Sequence, residues 1–428
     1  MKRILFITND VIGDSAAGPG IRYRELGAAL ARKGHTVTVM GRSPSFQAPQ
    51  PFVPAKLSAG NIIRHVSRND CVVFRGGGPL TTLLLMLFAR SKVLIADLYA
   101  FTQFEVPHMV ARNIRERLTT EVRKRFHLFK FRLYGGFCSR FWVANDHQMH
   151  FLHGLVYGAG RAPESKSIAV VPFGFSSVPP VKRKEVLRGV VRGIDHGDYL
   201  LIWGGGVWDW LDPLTLVHAM RMVRDSDPRI KLYFLGTRSP SGYLPAQAER
   251  LTDAARRFGL LDATVFINAS WVPYEDRIDY LLEADAGISL HPDSLETRYA
   301  FRTRNLDYLY CGLPMIHSDG DAWADIIRNN RIGLVVPPGD AQAVADAIIR
   351  MHRDRPMYDS MKRALGERGG QFTWDAIAER AIRSIEQRPS ERAPSAFRAA
   401  AAVAYHYGMF CFSVVVVFGK ALLRPRQG

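Results

Sequence analysis

The chain has 428 residues, of which 47% are hydrophobic and 23% are charged. This composition is typical of a globular protein and excludes a disordered or fibrous one, and the length predicts two domains. The formal net charge of +17 is concentrated in the first 170 residues, which contain 24 Lys and Arg against 10 Asp and Glu. A basic N-terminal half predicts an anionic partner, which composition alone leaves open as a membrane surface, a phosphate-linked molecule or nucleic acid.

Cysteine usage and the first residues of the chain bear on its compartment. The four cysteines, Cys71, Cys138, Cys311 and Cys411, are far apart and lack the spacing of a zinc site or a disulfide framework. The first apolar run, residues 4–7, is too short for a signal peptide. These features predict a cytoplasmic protein with reduced cysteines. No set of His, Asp and Glu has metal-ligand spacing, so we expect no tightly bound metal.

Apolar runs alternate with a helical pattern in the first part of the chain. A helix is predicted over residues 24–33, and strands over residues 4–7, 36–40, 71–74, 93–96, 141–144 and 170–171. A strand–helix–strand unit at the N-terminus requires a parallel sheet. Residues 172–180 contain three prolines and a glycine, which is typical of a linker.

The alternation restarts after that linker. Strands are predicted over residues 199–203, 231–235, 265–267, 286–290 and 314–317, and helices over 214–223, 246–258, 277–283 and 372–387. The pattern predicts an α/β protein with two doubly wound domains, residues 1–175 and 181–370. A further helical segment, residues 371–390, and a tail, residues 391–428, would follow.

Two glycine-rich segments are candidates for phosphate binding. Gly18 and Gly20 flank a proline between the first strand and the first helix, where close backbone approach suits a phosphate or a sugar, although a plain tight turn explains them equally well. Tyr23 stands where a dinucleotide-binding loop would have its third glycine, and no Walker A lysine follows, so a dinucleotide dehydrogenase is disfavoured.

The second glycine-rich segment has the sequence GGGVWDW and follows the first strand of the second half. Gly204, Gly205 and Gly206 can form a nest of N–H groups for an anion. Trp208 and Trp210, the two tryptophans that flank Asp209, would then line a sugar or a base, with Trp208 and Asp209 as the candidate binding residues. The alternative is that the tryptophans only pack beside a glycine turn.

The segment ETRYAFRTRNLDYLYCGLP, residues 296–314, combines acids and arginines on a loop and a short helix. Arg304 and Asp307 are three apart and share a helix face, while Glu296 and Arg302 precede them. A guanidinium can take phosphate oxygens in bidentate fashion, and a carboxylate can accept from ribose hydroxyls. The alternative is a surface helix with an ordinary ion pair.

Two segments suggest a surface for an anionic or apolar partner. Residues 106–137 hold eight Lys and Arg interleaved with Phe and Leu, a pattern that suits anionic lipid headgroups, single-stranded nucleic acid or a solvated face. Residues 399–419 contain no charged side chain and would span ~30 Å as a helix. That helix would lie in or on a membrane, pack back on the protein, or contact another protein.

Together these motifs resemble the GT-B glycosyltransferases, and within them the retaining group 1 family, glycosyltransferase family 4. The resemblance covers residues 1–388 and rests on GPGIRYRELGAALARKGHTVTV, LLIWGGGVWDWLDPLTLVHAM, ETRYAFRTRNLDYLYCGLPMI and IGLVVPPGDAQAVADAI, with FTWDAIAERAIRSI similar to the helix that returns to the N-terminal domain. It implies two Rossmann-like domains facing a central cleft, with the acceptor bound by the first and a nucleotide-sugar by the second.

The resemblance also implies roles for individual residues. Asp307 matches the second acid of the family's acidic motif, which holds the ribose, whereas the first acid falls on Tyr299, so that Glu296 would have to replace it. The family's Arg and Lys after the glycines are absent here, and Arg302 or Arg304 would take over the charge of the leaving diphosphate. Asp97, at the end of a strand in the first domain, is a candidate on the acceptor side.

The resulting prediction is a glycosyltransferase that needs no cofactor or metal and moves a sugar, with retention, from a nucleotide-sugar to a lipid-linked or cell-envelope glycan. It would work at the inner face of the cell membrane, next to an anionic lipid surface. Two alternatives stay open: a nucleotide-sugar epimerase on the same fold, and a non-enzymatic basic protein that binds nucleic acid.

Overall fold

The computed structural model describes residues 1–13, 18–76, 79–89, 91–105, 114–158, 167–238, 244–273, 275–387 and 396–422. Arg112 of the basic segment lies outside the described residues, as do residues 391–395 of the tail. The described chain forms two compact units. The C-terminal unit contains Gly174–Thr373, and the N-terminal unit contains the residues up to Phe173 together with those from Trp374 onward.

The N-terminal unit is built on a parallel sheet of seven strands. Their order is β3-β2-β1-β4-β5-β6-β7. The strands are β1 (Arg3–Gly13), β2 (Thr36–Ser45), β3 (Val53–Lys56), β4 (Cys71–Arg75), β5 (Val93–Asp97), β6 (Arg140–Val143) and β7 (Ile168–Val170). The helices are α1 (Gly18–Arg32), α2 (Ala59–Arg68), α3 (Pro79–Phe88), α4 (Thr102–Glu105), α5 (Ile114–Phe137) and α6 (Asp146–Gly158).

The central strands of this sheet are apolar on both faces because helices cover both. Ile4, Leu5 and Phe6 of β1 are fully buried, and so are Val72 and Val73 of β4. Continuous apolar runs of this kind are typical of parallel sheets in α/β proteins.

The C-terminal unit repeats the architecture with six parallel strands in the order β10-β9-β8-β11-β12-β13. The strands are β8 (Tyr199–Gly206), β9 (Ile230–Gly236), β10 (Val265–Ile267), β11 (Ala286–Ser289), β12 (Met315–Ser318) and β13 (Gly333–Val336). The helices are α7 (Pro213–Ser226), α8 (Ala246–Arg257), α9 (Arg277–Leu282), α10 (Leu295–Tyr299), α11 (Thr303–Tyr310), α12 (Ala322–Asn330), α13 (Ala341–Arg353) and α14 (Arg355–Arg368).

The last two helices belong to the N-terminal unit. In α15 (Trp374–Glu386), Trp374 packs against Phe173, and Asp375 accepts a hydrogen bond from Arg32 of α1. Helix α16 (Ala396–Leu422) packs along α5, where Phe129 contacts both Tyr407 and Phe410. The tail therefore packs back on the protein, one of the three arrangements that its sequence allowed.

No helix among those that the structure describes is both long and apolar enough to cross a membrane.

The glycine loop after β1 differs from its prediction. Helix α1 begins at Gly18, so Gly18 and Gly20 lie in its first turn rather than in a loop before it. Pro19 explains the difference, because its fixed φ suits the first turn and its missing N–H costs nothing there.

Candidate active site

Arg304 is the residue of the C-terminal unit that best suits an anionic ligand. Its Nη2 donates to the Gly206 carbonyl at 2.8 Å, and its guanidinium lies over the Trp203 ring, 4.7 Å from the centroid. Its Nη1 is buried and has no hydrogen-bond partner in the part of the chain that the structure describes. Burial lowers the pKa of Arg304 to about 10, so the side chain stays cationic at neutral pH. The site thus contains a charged N–H donor, Arg304 Nη1, without an acceptor among the described residues.

The glycines of β8 allow Tyr308 to approach the sheet closely. A methyl group on Gly204 would lie 2.9 Å from the Tyr308 ring, and one on Gly287 of β11 would lie 2.5 Å from it. The Gly204 N–H donates to the Tyr308 hydroxyl at 2.7 Å. The predicted nest therefore loses Gly204, whose N–H is already bonded, while Gly205 takes a φ of +87° that favours glycine.

Glu296 and Arg302 form a bidentate ion pair. The Arg302 nitrogens donate to the two Glu296 oxygens at 2.8 and 2.6 Å, and both side chains are buried. Arg302 is also the residue before α11, on which Arg304 and Asp307 lie. The pair joins α10, which contains Glu296, to the start of α11, and this link suits a role in positioning Arg304.

Asp307 does not pair with Arg304, although the two share a helix face. Arg277, the first residue of α9, donates to both Asp307 oxygens at 3.1 and 2.8 Å. The Asp307 side chain keeps 27% of its surface exposed. The predicted ribose-binding acid is thus held in place by a residue 30 positions earlier in the chain.

Trp208 and Trp210 stack with their ring planes 6° apart and their centroids at 5.5 Å. Between them, Asp209 accepts a hydrogen bond from the Gln247 N–H at the start of α8. Both tryptophans are half-buried against the core of this unit. These contacts give Asp209 a structural role, and the half-buried ring of Trp208 lies next to Gly206.

The remaining predicted residues, Gly18, Gly20 and Asp97, lie in the N-terminal unit. Both Asp97 oxygens accept from Arg22, at 2.8 and 3.0 Å, and both side chains are fully buried. This ion pair favours a structural role for Asp97 over the catalytic one predicted for it.

A buried cluster of His291, His317 and Asp321 lies in the C-terminal unit, close to Arg302. The two Nε2 atoms are 3.3 Å apart, and the Asp321 oxygens lie 2.9 Å from His317 Nε2 and 3.6 Å from His291 Nε2. Groups of these types in this arrangement can hold a metal ion, which the sequence did not suggest because 26 residues separate the histidines.

Hydrogen bonds account for most of this cluster without an ion. Asp321 Oδ1 accepts from the N–H groups of Trp323 and Ala324 and caps α12. Burial holds the pKa of His291 well below its usual value. Burial alone would raise the pKa of Asp321, but the two histidines and Arg302 lower it below its ordinary value.

Sequence reasoning missed three residues that build the site. Trp203 and Tyr308 are separated from Arg304 and Gly204 by about half of the unit, and Arg277 lies 30 residues from Asp307, so no local spacing identified them. The sequence did offer one signal: Gly204 and Gly287, in two neighbouring strands, lack a Cβ atom. Glycines at such positions indicate that a third element approaches the sheet closely.

Comparisons with known proteins bear on the fold and on the C-terminal unit. Residues 205–368 match the family model of glycosyl transferases group 1. Over 81 residues the chain is 28% identical to the phosphatidyl-myo-inositol mannosyltransferase of Mycobacterium leprae, a match that covers 19% of this chain and only 22% of that protein.

Two solved structures share the fold over nearly their full length. A glycosyltransferase from Rickettsia africae has a TM-score of 0.62 at 13% identity, covering 90% of this chain and 98% of its own. Anabaena Alr3699/HepE in complex with UDP and glucose has a TM-score of 0.60 at 13% identity, covering 90% and 99%.

Two doubly wound parallel sheets and these structural likenesses define a GT-B fold, as the sequence predicted. Within that fold class, the similarity to glycosyl transferases group 1 lies in residues 205–368, which belong to the C-terminal unit. This match includes Gly205, Gly206, Arg304 and Asp307.

Proposed function

We propose that this protein is a glycosyltransferase that moves a sugar, with retention and without a bound metal, from a nucleotide-sugar to a lipid-linked or cell-envelope glycan. The observation that carries the proposal is the buried, unpartnered Nη1 of Arg304 beside Gly206. A diphosphate supplies the acceptor that this N–H lacks, and charge-assisted bonds of this kind are about twice as strong as neutral ones.

In the proposed reaction, the bond from the sugar C1 to the diphosphate oxygen breaks and a bond from C1 to an acceptor hydroxyl oxygen forms. The hydroxyl proton passes to the leaving diphosphate. Arg304 stabilises the charge that develops on the diphosphate, which is the main task of such a site. Asp307, oriented by Arg277, accepts from the ribose hydroxyls, and Glu296 holds Arg302 and with it the start of α11.

A donor screen tests this proposal. UDP-, GDP-, ADP- and dTDP-linked sugars are added without metal to the wild type, to Arg304→Ala and to Arg350→Ala, an exposed control on α13. A donor at ~100 times its dissociation constant stabilises the protein by roughly 2.7 kcal/mol, which a thermal-shift assay detects. We expect one nucleotide class to raise the melting temperature of the wild type and the control, and not of Arg304→Ala. An unchanged response in Arg304→Ala would refute the assigned site.

The two alternative functions give different results in simple assays. An epimerase releases a free epimer of the sugar from the bound donor with no acceptor present, whereas a transferase requires an acceptor. A nucleic-acid-binding protein shows steep salt dependence and keeps its binding in Asp307→Ala.

For the acceptor side, we propose that α5 and α16 lie against an anionic membrane surface. Tyr405, Met409, Phe412 and Val415 are 43% to 67% exposed and recur at helical spacing along one side of α16. Helix α5, on which α16 packs, supplies Arg115, Arg117, Arg123, Lys124 and Arg125. Exposed apolar side chains next to a basic helix suit the interface between lipid headgroups and acyl chains.

Vesicle flotation tests this surface. We expect wild-type protein to float with vesicles of phosphatidylglycerol and phosphatidylcholine and to be released by salt. Phe412→Ser combined with Val415→Ser should reduce flotation, while Val53→Ser, which changes an exposed valine of β3, should not. Flotation that is unaffected by the double substitution would rule out α16 as the contact.

A further inference from the structure

A small cavity lies at the carboxyl edge of the N-terminal sheet. Its volume is about 70 Å³, and its lining includes Arg75, Asp97, Gln103, His127, Lys130 and Tyr134. Arg75 ends β4 and Asp97 ends the neighbouring β5. The strand order reverses between β1 and β4, and doubly wound sheets bind ligands at this edge near such a reversal. Since a water molecule takes about 30 Å³ of liquid, the cavity has room for one group of the size of a phosphate.

Two of the side chains that line this cavity present buried donor groups. Arg75 Nη1 and Gln103 Nε2 are buried and have no hydrogen-bond partner within the described ranges. Arg75 lies over the Tyr99 ring, 4.1 Å from its centroid, and this contact fixes the guanidinium without satisfying its N–H groups. Buried donors of this kind cost free energy unless an acceptor is supplied.

The side chains that line the cavity also carry a net positive charge. Asp97 is the acid among the lining residues, and both of its oxygens are bound by the buried Arg22. Asp10 acts on Arg75 electrostatically but does not line the cavity, and its carboxylate accepts from Thr8. Asp97 and Asp10 thus partly balance the charge of Arg75, whereas Lys130 has no carboxylate partner among the lining residues that the structure describes.

The pKa values distinguish the two cations. Burial opposes the charge of Arg75, but Tyr99, Asp97 and more distant groups raise its pKa above its usual value. Burial, with a smaller effect from Arg75, lowers the pKa of Lys130 to about 8. Burial, Lys130 and Arg123 lower the pKa of His127 to about 4, so this imidazole is neutral at pH 7. An ammonium group with an anionic partner would have a raised pKa instead.

We propose that this cavity binds a phosphoryl group of the acceptor. A phosphoryl anion complements the net positive charge that Lys130 adds beside Arg75, and its oxygens accept from Arg75 Nη1 and Gln103 Nε2, which have no partner in the described part of the chain. The proposal rests on the proposed glycosyl transfer and narrows its acceptor to a phosphorylated molecule whose phosphoryl group enters the N-terminal unit.

Calorimetric titration with inorganic phosphate tests the cavity. The full chain carries Arg304→Ala in every sample, because that change removes the contact proposed for the donor diphosphate. We expect Arg75→Gln and Lys130→Gln each to weaken phosphate binding at least 10-fold. The matched controls are Arg64→Gln and Lys56→Gln, at exposed positions of α2 and β3, and they should leave the affinity unchanged.

Folding is checked by near-ultraviolet circular dichroism. If Arg75→Gln does not fold, Lys130→Gln decides the question, and Arg75→Lys should restore part of the affinity. Equal phosphate affinity in the folded variants and their controls would overturn the proposal.

Two further probes distinguish a soluble acceptor from a lipid one. Glucose 6-phosphate presents a soluble phosphoryl group, and vesicles of phosphatidic acid in phosphatidylcholine present a lipid one. Binding that Arg75→Gln weakens in either arm supports the cavity and identifies its source. The proposal is contradicted if neither inorganic phosphate nor glucose 6-phosphate binds and if vesicle binding does not change in Arg75→Gln.

The donor screen separates this inference from the proposed function. Arg75→Gln in an otherwise wild-type chain should retain nucleotide-sugar binding. If no nucleotide-sugar binds to the wild type, the proposed transfer fails, whatever the phosphate titration shows. If a nucleotide-sugar binds but phosphate affinity does not depend on Arg75, the phosphoryl site alone fails.

Discussion

The Tyr308 hydroxyl accepts the N–H of Gly204 at 2.7 Å and lies 2.8 Å from the carbonyl oxygen of Ile288. One side chain of α11 thereby joins the ends of two neighbouring strands, β8 and β11. Arg304 lies one turn earlier on the same helix and reaches Gly206 of β8. Tyr308 therefore determines how close the Arg304 guanidinium lies to the glycine segment.

Tyr308→Phe tests this arrangement through stability. The change removes the hydroxyl and leaves the buried Gly204 N–H without its partner, so we expect a loss of about 1–3 kcal/mol in the free energy of unfolding. Urea unfolding measures it. Tyr199→Phe is the matched control, because the buried Tyr199 hydroxyl has no partner within the described part of the chain and its removal should cost nothing. Equal effects of the two changes would contradict the assignment.

Gly287→Ala tests the close approach of the Tyr308 ring to the sheet. The new methyl group would lie 2.5 to 2.6 Å from three ring atoms, which requires the ring or the strand to move. Overpacking of this kind typically costs about 1–3 kcal/mol. Gly366→Ala is the control, since nothing lies within 4 Å of its Cβ position on the exposed side of α14. Thermal unfolding that affects both variants alike would show that the ring adjusts freely.

Most of the fold could be predicted from the sequence, because each buried strand of a parallel sheet is a short, continuous apolar run. The predicted strands at residues 71–74, 93–96 and 265–267 match β4, β5 and β10 within one residue. The edge strand β3 was missed. Its four residues, VPAK, include a proline and a lysine, and three of the four are exposed, so they give no apolar run.

The candidate site was predicted only in part, because its partners are distant in sequence. Residues 296–307 were identified from their local combination of charge and helix, but the pairing of Asp307 with Arg277 depends on the packing of α9 against α11. Arg304 and Asp307 lie on one helix as predicted, but the alternative of an ordinary i,i+3 ion pair between them is not what the structure shows. Arg304 donates to the Gly206 carbonyl of β8, and Asp307 pairs with Arg277 of α9.

The Arg22–Asp97 ion pair should contribute strongly to the stability of the N-terminal unit. Both side chains are fully buried, and Arg22 also donates to the carbonyls of Val171 and Pro172. Asp97→Asn leaves a buried guanidinium without its counter-charge, and such changes cost about 3–5 kcal/mol.

An exposed ion pair of the same unit provides the comparison. Arg3 and Asp70 keep 58% and 37% of their side-chain surface exposed, and Asp70→Asn should cost less than about 1 kcal/mol. Urea unfolding of both variants measures the difference. A loss for Asp97→Asn as small as that for Asp70→Asn would show that the buried pair does not hold α1 to β5.

Acid should destabilise the protein from about pH 6.5 downward, earlier than carboxylates alone predict. The pKa of His291 is well below its usual value and that of His127 is about 4, so the unfolded chain binds protons that the folded chain does not. By linkage, the stability from these groups is complete above the unfolded pKa of about 6.5 and is lost as the pH falls. Asp321, whose pKa is also lowered, adds a loss only below the ordinary carboxyl range.

His291→Gln isolates one of these contributions. Each proton taken up on unfolding gives a slope of about 1.4 kcal/mol per pH unit. We therefore expect the dependence of the unfolding free energy on pH, measured by urea unfolding between pH 6.5 and 5, to be shallower in His291→Gln by up to that amount. His150→Gln, at an exposed position of α6, should keep the wild-type slope. The slope, rather than the stability at one pH, decides the matter, because a lost packing contact shifts the whole curve without changing its steepness.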